Sequence, residues 1–131
     1  LLFGRPDSVR ALDVPIASGA DGAGVALLGY PGLVVDVSYS KITNAGRVSE
    51  IEGEQATLSI DDLVSPRRVV RHAVDGDREA VEIPDERHSL RGEVERFVAL
   101  VEAGGTAAAE DQERTRLTLE TMARIRAALA R

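Results

Sequence analysis

The segment Glu50–Ile60 constrains the fold most, because apolar and polar side chains alternate on either side of a single glycine. Successive side chains of a strand point to opposite sides, so this alternation indicates strands with one covered face and one free face. Gly53 is typical of a bend or bulge between two such strands. The residues predicted for the covered face are Ala56, Leu58 and Ile60, and those predicted for the free face are Gln55, Thr57 and Ser59.

Similar runs lie on both sides of this segment. Pro31-Gly32 and Asp75-Gly76 each separate two of them, and both dipeptides favour tight turns between antiparallel strands. In the run before Glu50 the polar residues Asp36, Ser38 and Ser40 fall on one side of the strand. The further strands predicted are Ser8–Ile16, Val25–Tyr30, Leu33–Lys41, Arg67–Val74 and Arg78–Ile83.

Beyond Pro84 the apolar residues follow a helical period instead. A first helix of about four turns carries Leu90, Val94, Phe97, Val98 and Val101, and Gly104-Gly105 is placed to cap it. A second helix is predicted from Ala109 to Arg131, and the residues expected to point inward are Leu117, Met122, Ile125 and Leu129. Strands followed by helices predict an α+β fold, an open, mainly antiparallel sheet of about six strands with two C-terminal helices packed on one face.

A sheet covered on one face only leaves the other face free for a neighbour. Small and polar side chains on that face suit flat association of one sheet with another. We therefore predict a homodimer through the free face. The candidate interface residues are Asp36, Ser38, Ser40, Gln55, Thr57 and Ser59.

Composition narrows the possible functions. The chain has 131 residues, with 44% hydrophobic and 29% charged residues, which fits one globular domain over residues 1–131. A formal net charge of −6 opposes binding to nucleic acid. Cysteine is absent, so thiolate chemistry and disulfides are excluded, and no apolar run is long enough for a membrane helix. We expect a cytoplasmic protein without a nucleic-acid or membrane partner.

Two motifs are similar to catalytic or cofactor motifs. The glycines between Gly19 and Gly24 suggest a phosphate-binding loop, but a strand pattern follows them, whereas a dinucleotide fingerprint requires a helix there. Ser38 and Lys41 have the spacing of serine acyl-enzymes, yet on a strand these two side chains point to opposite faces. Both motifs are therefore predicted to be structural.

The remaining candidates are acidic or imidazole side chains. Glu50, Glu52 and Glu54 could gather carboxylates for a metal ion or for acid–base chemistry, but without partners they are expected to be solvated charges at a sheet edge. His72 and His88 are expected at the surface or at a sheet rim, and His88 is the better candidate for a pocket rim. We predict no catalytic, cofactor-binding or metal-ligating residue in this chain.

Four pieces of the chain, in order, resemble the C-terminal domain of Gfo/Idh/MocA-type NAD(P)-dependent oxidoreductases. The opening Leu2–Pro6 and the turn Gly19-Ala20-Asp21 are similar to that family, and the turn is most similar to its dihydrodiol and sugar dehydrogenase branch. Glu50–Asp61 resembles the family segment I-x-G-x-x-G-x-L-x-I-D, with Gln55-Ala56 in place of the second glycine. The helical tail resembles E-x-x-x-F-x-x-x-I-x-x-G, through Glu93, Phe97, Val101 and Gly104.

The resemblance implies a two-domain enzyme in which an N-terminal Rossmann domain binds NAD or NADP and hydride moves to or from a sugar, cyclitol or diol. The catalytic motifs of the family, E-K-P and D-x-x-x-H or D-x-x-x-Y, are not in this sequence. We therefore expect the chain to be the substrate-side domain of a longer enzyme, and to be inactive and unable to bind NAD(P) by itself. The alternative is a stand-alone binding or scaffold module with no redox role.

Overall fold

A computed structural model of the chain describes residues 2–44, 46–83, 90–104 and 108–129. All neighbouring strands in this part of the chain pair antiparallel. The predicted α+β class, with two helices following antiparallel strands, is confirmed. The elements are β1 Ser8–Pro15, β2 Asp21–Tyr30, β3 Leu33–Ser40, β4 Ser49–Glu52, β5 Ala56–Ile60, β6 Val69–Ala73, β7 Arg78–Val81, α1 Arg91–Glu102 and α2 Ala109–Leu129.

The strands form two sheets in the described residues, not the single sheet of about six strands that we predicted. One has the order β1-β2-β3, and the other has the order β4-β5-β6-β7. Local hydrogen bonding marks the end of β3, the last strand of the first sheet. Ser40 Oγ accepts the backbone N–H groups of Ile42 and Thr43, at 3.3 and 3.0 Å. Side-chain bonds of this kind compete with the sheet ladder and turn the chain away from it.

The described residues divide into two compact units. The first unit, residues 2–44, 104 and 108–129, holds the three-stranded sheet and α2. The second unit, residues 46–83 and 90–103, holds the four-stranded sheet and α1. We predicted a single domain over residues 1–131, and this stays a prediction. Neither helix, over its described length, is both long and apolar enough to cross a lipid bilayer.

The core of the first unit lies on one face of its sheet. On the central strand β2, Ala26 and Leu28 are 2% and 5% exposed, and α2 packs against β1. Arg124 of α2 donates hydrogen bonds to the carbonyl oxygens of Pro6 and Asp7, the latter at 2.9 Å, and Pro6 is fully buried. These contacts hold α2 against the start of β1.

The buried side of α2 differs from the predicted one at two adjacent positions. Thr121 is 6% exposed, whereas Met122, predicted to point inward, is 48% exposed. The partly buried residues Leu117 and Ile125 lie four positions before and after Thr121, so the three fall on one side of the helix. Thr121 occupies that side without an unsatisfied hydroxyl, because its Oγ1 donates to the carbonyl oxygen of Leu117 at 2.9 Å.

Helix α1 has no buried residue. Its apolar side chains recur at helical spacing as predicted, but Val94, Phe97 and Val101 are 59%, 66% and 63% exposed. Gly104 follows the helix with a φ of 65°, a left-handed conformation that suits the predicted glycine cap. Gly105 lies outside the described residues. The structure thus shows packing of α2 on the first sheet, while packing of α1 stays a prediction.

Candidate functional site

Three of the predicted interface residues share one face of the first sheet. Asp36, Ser38 and Ser40 alternate along β3 and are all exposed. Antiparallel register places Asp36 beside Leu27 of β2 and Ser38 beside Val25. We call this surface the outer face of the three-stranded sheet, since the opposite face holds the buried side chains of β2. Whether it contacts a partner stays a prediction.

The outer face also carries apolar side chains that our sequence-based prediction missed. These side chains are Leu12, Val14, Leu27 and Val34, with exposed fractions of 75%, 60%, 44% and 70%. Leu12 and Val14 alternate along β1, so their common side was readable from the sequence. Their position beside β2, with Val34 and Leu27 on the same surface, follows only from the register of the three strands.

Two opposite charges flank the centre of the outer face. Register places Arg10 of β1 and Asp36 of β3 on either side of Leu27. Both side chains are exposed. Their strands are separated by two inter-strand spacings, which add up to roughly 10 Å. Neither forms an ion pair with another residue in the described part of the chain. The face therefore presents one free cation and one free anion across an apolar centre.

The second sheet presents a polar group around Ser59. Ser59 Oγ lies 2.9 Å from Nε2 of His72 and 3.3 Å from Oε1 of Glu50. Thr57 and Ser59, both predicted for the free face, are half-buried on the same side of β5. Gln55 is exposed just before β5, and its carbonyl oxygen accepts the N–H of Val74 at 3.2 Å.

The arrangement around Ser59 is not that of an activated nucleophile. A triad requires the acid to hold the histidine ring, whereas Glu50 here bonds to the serine itself. Among the residues that the structure describes, no three histidine or acidic side chains gather for a metal ion. His72, expected at the surface or at a sheet rim, is instead half-buried on β6, an inner strand of the second sheet, because strands β5 and β7 pair on either side of it. His88 lies outside the described residues. The group is suited to hydrogen bonding rather than to catalysis.

The glycine-rich segment is a strand hairpin, as predicted. Gly19 lies in the turn with a φ of 81°, and β2 begins at Asp21. A Cβ atom added to Gly24 would come within 2.7 Å of Tyr39 Oη and 2.8 Å of the carbonyl oxygen of Leu12. The absence of a side chain at this position therefore makes room for the tyrosine ring of the neighbouring strand. A dinucleotide would not find a helix N-terminus here.

Lys41 also has a structural partner. Its Nζ lies 2.7 Å from Oδ1 of Asp21, and this hydrogen bond is the main reason that the pKa of Asp21 lies below its ordinary value. Ser38 is not its partner, which agrees with the predicted divergence of the two side chains. Close by, loss of hydration and then the charge of Asp21 raise the pKa of Tyr39. The Tyr39 hydroxyl is buried without a hydrogen-bond partner within the described residues.

Comparison with known proteins adds relatives that are oxidoreductases. Over 123 residues the chain is 35% identical to scyllo-inositol 2-dehydrogenase (NADP(+)) IolU of Bacillus subtilis strain 168, which covers 93% of this chain and 38% of that protein. Over 101 residues it is 32% identical to the uncharacterized oxidoreductase YgjR of Escherichia coli strain K12, covering 77% of this chain and 31% of that protein. No family model matches the chain.

The fold is similar to that of a solved dehydrogenase. UDP-N-acetylglucosamine 3-dehydrogenase GnnA of Acidithiobacillus ferrooxidans superposes with a TM-score of 0.73 at 22% identity, covering 96% of this chain and 40% of that one. The chain thus spans less than half the length of each of these three proteins. Together, the sequence matches over most of the chain show that it belongs to the Gfo/Idh/MocA-type oxidoreductases and corresponds to their C-terminal part.

Proposed function

We propose that the chain is the C-terminal, substrate-side and dimerisation domain of an NAD(P)-dependent oxidoreductase that acts on a sugar, cyclitol or diol. The observation that carries this proposal is the 35% identity with a scyllo-inositol dehydrogenase along 93% of the chain. Scyllo-inositol is a cyclitol, and the relative matched by fold acts on a sugar nucleotide. Both names support a polyhydroxylated substrate. We place the enzyme in the cytoplasm.

The cofactor of this enzyme is NAD or NADP, which supplies or accepts the hydride. The residues described here do not fit a dinucleotide. The glycine-rich segment leads into β2, and space beside two of its glycines is already occupied: a Cβ atom on Gly22 would lie 2.6 Å from Cγ2 of Ile16, and one on Gly24 would meet Tyr39. We therefore assign cofactor binding and the catalytic residues to a Rossmann domain elsewhere in the enzyme.

The proposed homodimer forms through the free sheet faces. On the first sheet, the exposed apolar side chains of the outer face support this role, because contiguous exposed apolar surface is typical of interaction sites. The interface candidates remain Asp36, Ser38, Ser40, Gln55, Thr57 and Ser59. In the second sheet Thr57 and Ser59 are half-buried, so direct contact there would involve the exposed Gln55 most.

The test is to express the gene with the sequence upstream of Leu1 and, separately, the chain alone. We expect the longer protein to bind NAD or NADP in a fluorescence titration and to oxidise one of a panel of cyclitols, aldoses and diols. The chain alone should do neither. Upstream sequence without a strand followed by G-x-G-x-x-G, or NAD(P) binding by the chain alone, would contradict the proposal. The first of these results would favour a scaffold module.

A further inference from the structure

We propose that Arg124 of α2 and Tyr30 of β2 are positioning residues for the oxidoreductase reaction, because they hold residues 2–7 at a fixed place on the first unit. We call residues 2–7 the entry segment. The inference rests on the proposed function, in which a Rossmann domain precedes this domain, so that the entry segment connects the two. It adds two residues that act on the reaction through the backbone rather than by contact with substrate.

Both residues bind backbone carbonyl oxygens of the entry segment. The Arg124 guanidinium donates hydrogen bonds to the carbonyl oxygens of Pro6 and Asp7, the latter at 2.9 Å. The Tyr30 hydroxyl donates to the carbonyl oxygen of Gly4 at 3.4 Å. A guanidinium presents its N–H donors in a rigid plane, so bonds to two successive carbonyl groups fix the direction of the chain between them. The two side chains therefore set the path of the main chain.

The backbone of the entry segment is restrained in other ways as well. Pro6 is fully buried, and its ring limits φ. The backbone N–H of Asp7 donates to the carbonyl oxygen of Gly29 at 2.8 Å, which joins the segment to β2. Gly4 has a φ of 72°, a left-handed conformation that bends the chain just before these contacts. The segment thus follows one defined course between Gly4 and β1.

An aromatic contact extends this restraint toward the exposed end of the segment. The ring of Phe3 meets the ring of Tyr30 edge to face, with 6.2 Å between the ring centroids. Leu2, the residue before it, is 82% exposed. The entry segment is therefore held on the first unit up to Phe3, and it leaves the surface only at Leu2.

A fixed connection matters because the proposed reaction joins groups from two domains. The cofactor and the catalytic residues are assigned to the Rossmann domain, whereas the substrate-side surface belongs to this one. A misplacement of about 1 Å between reacting groups can lower a rate about 100-fold. Arg124 lies 118 residues after Pro6, so it ties the last helix of the domain to its first segment. Loss of its bonds should loosen the alignment without removing a group that touches the cofactor.

The experiment compares variants of the full polypeptide, with its upstream sequence, in the oxidation of scyllo-inositol by NADP+, or of the panel substrate that the wild type oxidises fastest. Arg124→Met removes both bonds, so kcat should fall about tenfold or more, while the Kd for NADP+ and the KM for the polyol stay within about twofold. Arg124→Lys keeps one donor and should restore part of kcat. Tyr30→Phe loses one long hydrogen bond and should have a smaller effect. If Arg124→Met does not fold, Arg124→Lys carries the comparison.

Two controls separate positioning from stability. Arg126→Met changes an exposed arginine of the same helix, and Gly24→Ala strains the same unit near the start of β2, away from the entry segment. Both should keep the wild-type kcat at a temperature where circular dichroism shows every variant to be folded. An Arg124→Met enzyme with wild-type kcat, or a loss that Gly24→Ala reproduces, overturns this inference and leaves the proposed function standing. A wild-type polypeptide that binds no NAD(P) or oxidises no panel member overturns the proposed function, and this inference with it.

Discussion

Strand β3 of the first sheet and strand β5 of the second have the same alternating sequence pattern, but the two sheets differ in what covers them. In the three-stranded sheet, Ala26 and Leu28 are buried and α2 packs against β1. In the described part of the second unit no residue is fully buried, and every residue of β5 and β6 is half-buried. Alternation thus indicates that a strand has two unlike faces, but does not indicate whether another element covers one of them.

In the second sheet, a single carboxylate organises the loop between β5 and β6. Asp61 Oδ1 accepts the backbone N–H groups of Asp62, Arg67 and Arg68 at 2.9, 3.0 and 3.0 Å, which closes the loop between β5 and β6. These bonds hold the pKa of Asp61 below its ordinary value, with the bond from Arg68 contributing most. A polar loop therefore organises a sheet that lacks a buried core within the described residues.

The largest expected difference between the sheets is the loss of unfolding free energy when an inward leucine is truncated to alanine. Leu28→Ala removes methyl groups from a buried site and should lower the free energy of unfolding by about 2–5 kcal/mol, because it loses transfer free energy and leaves a cavity. Leu58→Ala, the matched change on half-buried β5, should cost roughly half as much. Urea unfolding of both variants measures this. Equal losses would show that the two sheets are equally well covered.

A smaller effect is expected where the first sheet is tightly packed across its strands. Gly24→Ala places a methyl group against Tyr39 and against the backbone oxygen of Leu12, and should destabilise the protein by about 1–3 kcal/mol. Gly46→Ala is the control, since nothing lies within 4 Å of its added Cβ atom. Thermal unfolding compares the two variants. A harmless Gly24→Ala would mean that β2 and β3 can separate locally at little cost.

The contact between α2 and the start of β1 should contribute a little less. Arg124→Met keeps most of the aliphatic length and removes the hydrogen bonds to Pro6 and Asp7, so the expected loss is about 1–2 kcal/mol. Arg126→Met, two positions further along and exposed, should change stability by less than about 0.5 kcal/mol. Chemical unfolding of this pair tests whether Arg124 anchors the helix. Indistinguishable midpoints would show that apolar packing alone holds α2.

The smallest effect is a local pH dependence in the second sheet. Since folding lowers the pKa of Asp61, its contribution to stability is present above pH 3.8, the ordinary value, and is lost as the pH falls through the lower folded-state pKa. The protection of the Arg67 and Arg68 amides, measured as the exchange rate relative to that of an unstructured peptide at the same pH, should therefore fall in acid. Asp61→Asn keeps an acceptor oxygen but removes the charge, and should abolish the acid dependence at these two amides. An unchanged profile in that variant would assign the effect to another carboxylate.

The elements themselves were largely predictable from sequence. The turns at Pro31-Gly32 and Asp75-Gly76 separate β2 from β3 and β6 from β7, and Gly53 separates β4 from β5, because glycine and proline restrict the local backbone in known ways. The helices begin and end close to their predicted bounds for the same local reasons. The prediction that Leu117 and Ile125 lie on the inward side of α2 was also correct. Thr121 was missed, because a hydroxyl can be buried once it bonds to its own helix.

By itself, then, the sequence determined which residues form strands and helices, which side chains share a side of each element, and the resemblance to the oxidoreductases. The tertiary structure alone decided that the strands divide into two sheets, that Leu12, Leu27 and Val34 meet on one outer face, and that Arg10 and Asp36 flank it. The physical reason is the separation along the chain of the residues that interact. Side-chain direction depends on local backbone geometry, whereas register and coverage depend on contacts between residues far apart in the chain.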